Sequence, residues 1–209
     1  MKAYIIGGDK TFVNFLPEVE ITDKLKDAKI VIFGDGPIVS PSLYKEKKAV
    51  GVDLKCDINR DRSDKSVYTK LKPDQIAVGI GRGACFLAVM NGASLVQNAI
   101  KKNRDSSYMV EFKYGDTTYI FPVLSDWVQS INLEQCENFE FLGKSKESLD
   151  YVAEPEVKRF MKYNGDPELV LFRNKKQPVS ICIQFHPEWM PEAYSSKLLK
   201  ELIYECANS

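Results

Sequence analysis

Residues Ile76–Gln97 read IAVGIGRGACFLAVMNGASLVQ, and this stretch decides the fold. Ile76–Ile80 is an apolar run with the length of a buried strand. Gly81-Arg82-Gly83 interrupts it at once. From Ala84 onward Cys85, Leu87, Ala88 and Met90 recur at helical spacing until Asn91-Gly92 supplies a stop. A strand that runs through Gly-x-x-x-Gly straight into a helix has the layout of a nucleophile elbow. The central residue of such an elbow sits at the strand-to-helix turn, beside backbone N–H groups able to hold an oxyanion. Here the elbow is Gly79-Ile80-Gly81-Arg82-Gly83, and its centre, Gly81, carries neither thiol nor hydroxyl.

Outward from the elbow, Ala3–Ile6 ends at Gly7-Gly8 and Lys29–Phe33 ends at Gly34-Asp35-Gly36-Pro37, as buried strands closed by turns. A helix is expected over Asp64–Leu71. Strand and helix thus alternate through the first half, which predicts a parallel sheet covered by helices. The second half reads differently. Tyr108–Lys113 and Thr117–Val123 form a hairpin around Tyr114-Gly115-Asp116, and Phe139–Lys144 is a further strand. Leu169–Phe172 and Val179–Phe185 pair around the Arg173–Pro178 turn. Ala193–Cys206 closes the chain as an amphipathic helix with Leu198, Leu199, Leu202 and Ile203 inward. With no repeat, low-complexity tract or linker, a single domain over residues 1–209 is expected.

Composition narrows the chemistry. The 209 residues hold 29 basic and 29 acidic side chains and one histidine, His186. A two-His zinc or iron site is excluded, and no metal or organic cofactor is expected. Zero net charge gives no bulk grip on nucleic acid, and Lys45–Lys48 and Lys101-Lys102 read as solvated faces. The five cysteines are odd in number, scattered and without CxxC spacing, which suits a reducing, cytoplasmic setting. The apolar run in MKAYIIGGDK is too short for a secretion signal, and no stretch reaches membrane-spanning length.

Several motifs, in order, resemble the class I glutamine amidotransferase superfamily, in particular its gamma-glutamyl hydrolase-like branch. GIGRGACFLAVMNGASLVQ is similar to the family's Gly-Ile-Cys-Arg-Gly elbow and the Asn-x-x-x-Gly-Gly stretch after it. VIFGDGPIVSPSLY resembles its Gly-Gly-x-Asp-Val-x-Pro-x-Leu-Tyr loop, and Asn59-Arg60-Asp61 its Arg-Asp element. Ile183-Gln184-Phe185-His186-Pro187-Glu188-Trp189 matches its terminal motif. The resemblance implies a three-layer, flavodoxin-like α/β fold with a central, mostly parallel sheet flanked by helices. It also implies a thiol at residue 81 that forms a gamma-glutamyl thioester, with His186 as its base and Glu188 orienting the ring. His186 and Glu188 are taken to lie on the same side of an extended strand end.

The chain departs from that pattern where the chemistry would occur. Gly81 replaces the nucleophile, and Cys85 replaces the substrate-holding Gln. Asp35-Gly36 replaces the oxyanion-loop Gly-Gly and puts a carboxylate where negative charge would develop, while Ile38 replaces an Asp. The Ser-x-His-His-Gln region has become Leu124-Ser125-Asp126-Trp127-Val128-Gln129. These changes in one pocket imply a noncatalytic descendant that binds a protein partner, a second copy of itself, or a small acidic or gamma-glutamyl ligand. The alternative is an active amidotransferase or gamma-glutamyl hydrolase whose natural residue 81 is cysteine, replaced here.

The remaining site residues have competing readings. Cys85, one turn beyond the elbow, is read as a buried, unreactive thiol rather than a rescue nucleophile. Arg82 either steers an acidic ligand, with the helix N-terminus as an anion site, or is solvated. Arg60-Asp61 reads as an ion pair or cap, and Trp127 and Trp189 as pocket lining or core.

Overall fold

The computed structural model describes residues 1–48, 55–97, 107–125, 128–146, 166–174 and 177–209. Their strands are β1 (Lys2–Ile6), β2 (Glu20–Ile21), β3 (Ile30–Phe33), β4 (Ile76–Ile80), β5 (Ser94–Val96), β6 (Ser107–Tyr114), β7 (Thr117–Leu124), β8 (Ser130–Asn132), β9 (Phe139–Ser145), β10 (Pro167–Phe172) and β11 (Val179–Ile183). The helices are α1 (Ile58–Tyr68), α2 (Arg82–Met90) and α3 (Tyr194–Asn208).

Nine strands make one sheet in the order β2-β1-β3-β4-β11-β10-β9-β6-β7. Pairing is parallel from β2 to β11 and antiparallel from β11 to β7. Only β10 and β6 are therefore reversed within this sheet, and the expected mostly parallel α/β architecture is observed. β5 and β8 form a separate antiparallel pair.

Side-chain alternation along the buried strands divides the core in two. Ile30, Ile32, Ile76, Val78, Ile80, Ile181 and Ile183 face α3, which presents Leu198, Leu199, Leu202 and Ile203. Val31, Phe33, Ala77 and Cys182 face the other way, against Phe86 and Leu87 of α2 and Tyr68 of α1. The result is three layers, helix on sheet on helix. Every residue of β3 and β4 is buried, because both faces of the sheet are covered there.

Helix α1 departs from expectation. It begins at Ile58 rather than Asp64 and ends at Tyr68 rather than Leu71. Asp57 starts it by accepting hydrogen bonds from the N–H groups of Asn59 and Arg60. Its buried residues are Asp61, Asp64 and Tyr68, so its inner face is mainly charged and has no apolar period to read. The last parallel strand also stops at Ile183 rather than Phe185, where Gln184 turns to bind its neighbours. Gln184 accepts from the N–H of Ile131 at 2.9 Å and donates to the carbonyl of Gln129 at 3.0 Å. Lys101-Lys102 lie outside the described residues. Among the described residues no helix is long and apolar enough to cross a membrane.

Candidate functional site

β4 lies between β3 and β11, so the elbow opens at the C-terminal edge of the parallel half of the sheet, where α/β folds carry their sites. Gly81 has φ 56° and ψ −117°, a left-handed conformation costly for any side-chain-bearing residue. Its N–H donates to the carbonyl of Ile183 at 2.9 Å. Two residues on, a Cβ at Gly83 would fall 1.8 Å from the Phe33 carbonyl oxygen, so only glycine lets α2 start this close to β3. The backbone thus makes a tight strand-to-helix turn with no side chain at its centre.

A Cβ placed on Gly81 would stand 3.0 Å from Cε1 of His186, so a side chain there would meet the imidazole directly. His186 Nδ1 and Glu188 Oε1 are 2.7 Å apart, and both residues are buried. The expected extended strand end does not bring them together. A 3₁₀ turn over Pro187–Trp189 folds Glu188 back to the ring, and Ser196 of α3 pins it by donating to the carbonyls of Pro187 and Met190. Trp189 stacks on the imidazole at 3.9 Å between centroids and 8° between planes, yet is 47% exposed. It is therefore not the core residue of one reading. Glu188 Oε2 is buried and has no hydrogen-bond partner among the described residues.

The same notional Cβ would lie 2.8 Å from Oδ1 of Asp35. That oxygen accepts a hydrogen bond from the backbone N–H of Arg82 at 2.9 Å. The Asp35 carboxylate thus occupies the first N–H of α2 and borders the space a side chain on residue 81 would fill.

Arg82 does not lie in solvent. It is buried; its guanidinium binds Asp64 and, at 2.6 Å, Asp61, and its Nε donates to the Pro37 carbonyl at 2.8 Å. Arg60 does not pair with its neighbour Asp61 but with Asp64, at 2.9 Å. It also donates to the carbonyls of Ile6, Gly7, Gly34 and Asp35. Asp61 accepts a further hydrogen bond from the Ser40 N–H at 3.0 Å. Asp64 is the residue the sequence reading missed. The signal was its i, i+3 spacing from Asp61, which sets both carboxylates on one face of α1.

Cys85 is buried, and its Sγ lies 3.8 Å from the Gln129 carbonyl oxygen. Burial pushes its thiol up to about 12, against a partial lowering by Arg82, so it stays protonated and weakly nucleophilic at neutral pH. The side chain of Gln129 pairs with Val39 as a strand would, accepting from its N–H and donating to its carbonyl, both at 2.9 Å. Asp35, Gly36, Ile38, Arg82, Cys85, Val128 and Gln129 enclose a cavity of about 100 Å³. Trp127 lies outside the described residues. Among the described residues no group of three or more His, Cys, Asp or Glu is placed to hold a metal ion.

No family model and no curated protein matches the chain. Solved structures do. A protein from Thermoplasma acidophilum described as part of a GMP synthase superposes with a TM-score of 0.64 at 17% identity, over 100% of this chain and 94% of its own. PurLQS from Thermotoga maritima gives 0.62 at 13% identity, covering 98% of this chain and 97% of its own. A glutamine amidotransferase from the same organism gives 0.58 at 15%, covering 99% and 90%. At such identities the likeness speaks to the fold, which is the flavodoxin-like α/β fold of class I glutamine amidotransferases.

Proposed function

We propose that this chain is a class I glutamine amidotransferase-like protein, of the gamma-glutamyl hydrolase-like branch, that has lost catalysis and works by binding. The reading rests on one observation, the filled elbow. Gly81 has no nucleophile, and the Asp35 carboxylate holds the Arg82 N–H and borders the nucleophile's place. An acyl group brought there would meet a carboxylate instead of a free donor, in a site whose stabilising power depends on that donor. His186 and Glu188 keep the base and orienting geometry of the ancestor with no thiol to deprotonate.

A protein partner is the favoured occupant, with a small ligand in the altered pocket as a second. Trp189 supports the partner, since it leaves a large aromatic half exposed at the edge of the site. The structural neighbour described as one component of a GMP synthase supports it too. The scattered cysteines support a cytoplasmic setting. Pull-down from the native host, followed by identification of what is retained, tests the partner. The noncatalytic reading is tested by assaying glutaminase and gamma-glutamyl hydrolase turnover. The expected result is none, and turnover abolished by His186→Ala would overturn it.

The 2.7 Å contact between His186 and Glu188 favours one other reading, an enzyme whose natural residue 81 is cysteine. The closeness of Asp35 to that position weighs against it. The native codon 81 decides between the two.

A further inference from the structure

An acyl-transfer elbow presents N–H donors to developing negative charge. In this chain the electrostatics of that place are reversed. The Arg82 N–H is occupied by Asp35 Oδ1. The two guanidiniums nearby are engaged as well, Arg82 by Asp61 and Asp64, Arg60 by Asp64 and four backbone carbonyls. Two cations balance Asp61 and Asp64 and leave Asp35 without a counter-ion of its own. No described residue donates to its second carboxylate oxygen. Across position 81, Glu188 adds another carboxylate with one buried, unpartnered oxygen.

The cavity beside Asp35 offers a ligand little else that is polar and unengaged. The Gln129 amide is taken up by Val39, and the Cys85 thiol is protonated. Ile38 and Val128 supply apolar patches in a wall that is about half polar, its Arg82 guanidinium being engaged by Asp61 and Asp64. At about 100 Å³ the space holds a group of roughly three non-hydrogen atoms, on the scale of ~30 Å³ per water. A small cavity with mixed walls and one carboxylate lacking its own counter-ion suits a cation that also donates hydrogen bonds.

We propose that this pocket takes a small primary ammonium group, with Asp35 as its counter-ion, and rejects carboxylates and gamma-glutamyl acyl groups. The ligand class is thus opposite in charge to the acidic ligand expected from the ancestry. The inference rests on the noncatalytic reading of the site, but its test does not use turnover.

His186 is the sole histidine, and its Cε1 and Asp35 Oδ1 both border the place of a Cβ on residue 81, so its one set of imidazole NMR signals reports on the Asp35 carboxylate. The uniformly labelled protein is titrated at fixed neutral pH with methylammonium chloride, and in parallel with sodium acetate and sodium chloride at matched ionic strength. Methylammonium is expected to shift the His186 signals saturably, and the two sodium salts to leave them in place. Asp35→Asn keeps an oxygen to accept from the Arg82 N–H and removes only the charge, and should weaken the methylammonium response about tenfold or more. Asp35→Ala frees the N–H, and acetate should then shift the signals. The proposal is overturned if methylammonium gives no saturable shift in the native protein, or if Asp35→Asn binds it unchanged. A failed titration would leave the noncatalytic reading standing, whereas His186-dependent turnover would remove that reading without bearing on the titration.

Discussion

Asp35 stands where a side chain on Gly81 would go: its Oδ1 is 2.8 Å from the position of a Cβ on residue 81. A thiol introduced by Gly81→Cys would have to displace that carboxylate or ionise beside it. A neighbouring negative charge raises a thiol pKa and reduces the thiolate available. Gly81→Cys alone should therefore be alkylated by iodoacetamide no faster than an ordinary exposed thiol. Gly81→Cys combined with Asp35→Gly should react about tenfold or more faster at neutral pH, and lose that gain with His186→Ala. Mass spectrometry of the peptide carrying residue 81 measures both rates, and equal rates would show that Asp35 does not block the site. Glutaminase turnover is expected to remain weak even in the double variant, because substrate positioning is a separate part of the barrier.

Arg82 anchors the site to α1 through Asp61 and Asp64, with all three residues buried. Arg82→Met keeps much of the stem's volume but leaves buried Asp61 without a cation and Asp64 with Arg60 alone. Removing one member of a buried ionic cluster typically costs about 3–5 kcal/mol, because the remaining charges cannot regain water. Urea unfolding should show a loss of that size. A loss under about 1 kcal/mol would mean the cluster is solvated or rearranges freely.

Burial lifts the Cys85 thiol from 9.0 to about 12, and lifts Cys182 in the same direction. The folded state keeps these protons where the unfolded state releases them. The Cys85 contribution to stability is therefore complete below about pH 9 and declines as pH rises towards 12, and that of Cys182 falls in the same alkaline direction. Cys85→Ser, which does not titrate in this range, should flatten the alkaline fall of the denaturation midpoint. Parallel curves for the two proteins would assign the fall to other groups.

Trp189 covers the ring of His186, 3.9 Å between centroids and nearly coplanar. Such contacts contribute about 0.5–1.5 kcal/mol beyond buried area. Trp189→Ala should lower stability by about that amount and move the His186 ring protons downfield as the indole ring current is lost. Unmoved ring signals would place the indole away from the imidazole in solution. If Trp189 also contributes to partner binding, the same variant should weaken capture in the pull-down.

How much of this was legible beforehand differs between elements. Ile76–Ile80 was readable to the residue, because a strand buried on both faces must be apolar throughout. The start of α1 was not, because the face it buries carries Asp61 and Asp64, whose partner Arg82 lies on another element. β2, β5 and β8 are two or three residues long and carry no period to detect. Motif order singled out Gly81, His186 and Glu188, which the fold brings to one place. The meeting of His186 and Glu188 was assigned to a strand end, when a 3₁₀ turn held by Ser196 achieves it.

The sequence by itself determined the layered α/β architecture and a glycine at the centre of the strand-to-helix turn, since apolar runs, turn glycines and residue identity are local facts. The tertiary structure alone decided what stands beside that glycine. Asp35 and Gly81 are far apart along the chain, and only the parallel pairing of β3 with β4 brings their turns to one sheet edge. There the Arg82 N–H holds the carboxylate, and the α1 acids neutralise the arginine that a linear reading left free to attract anions. A residue's charge is written in the sequence, but its counter-ion is chosen by the fold.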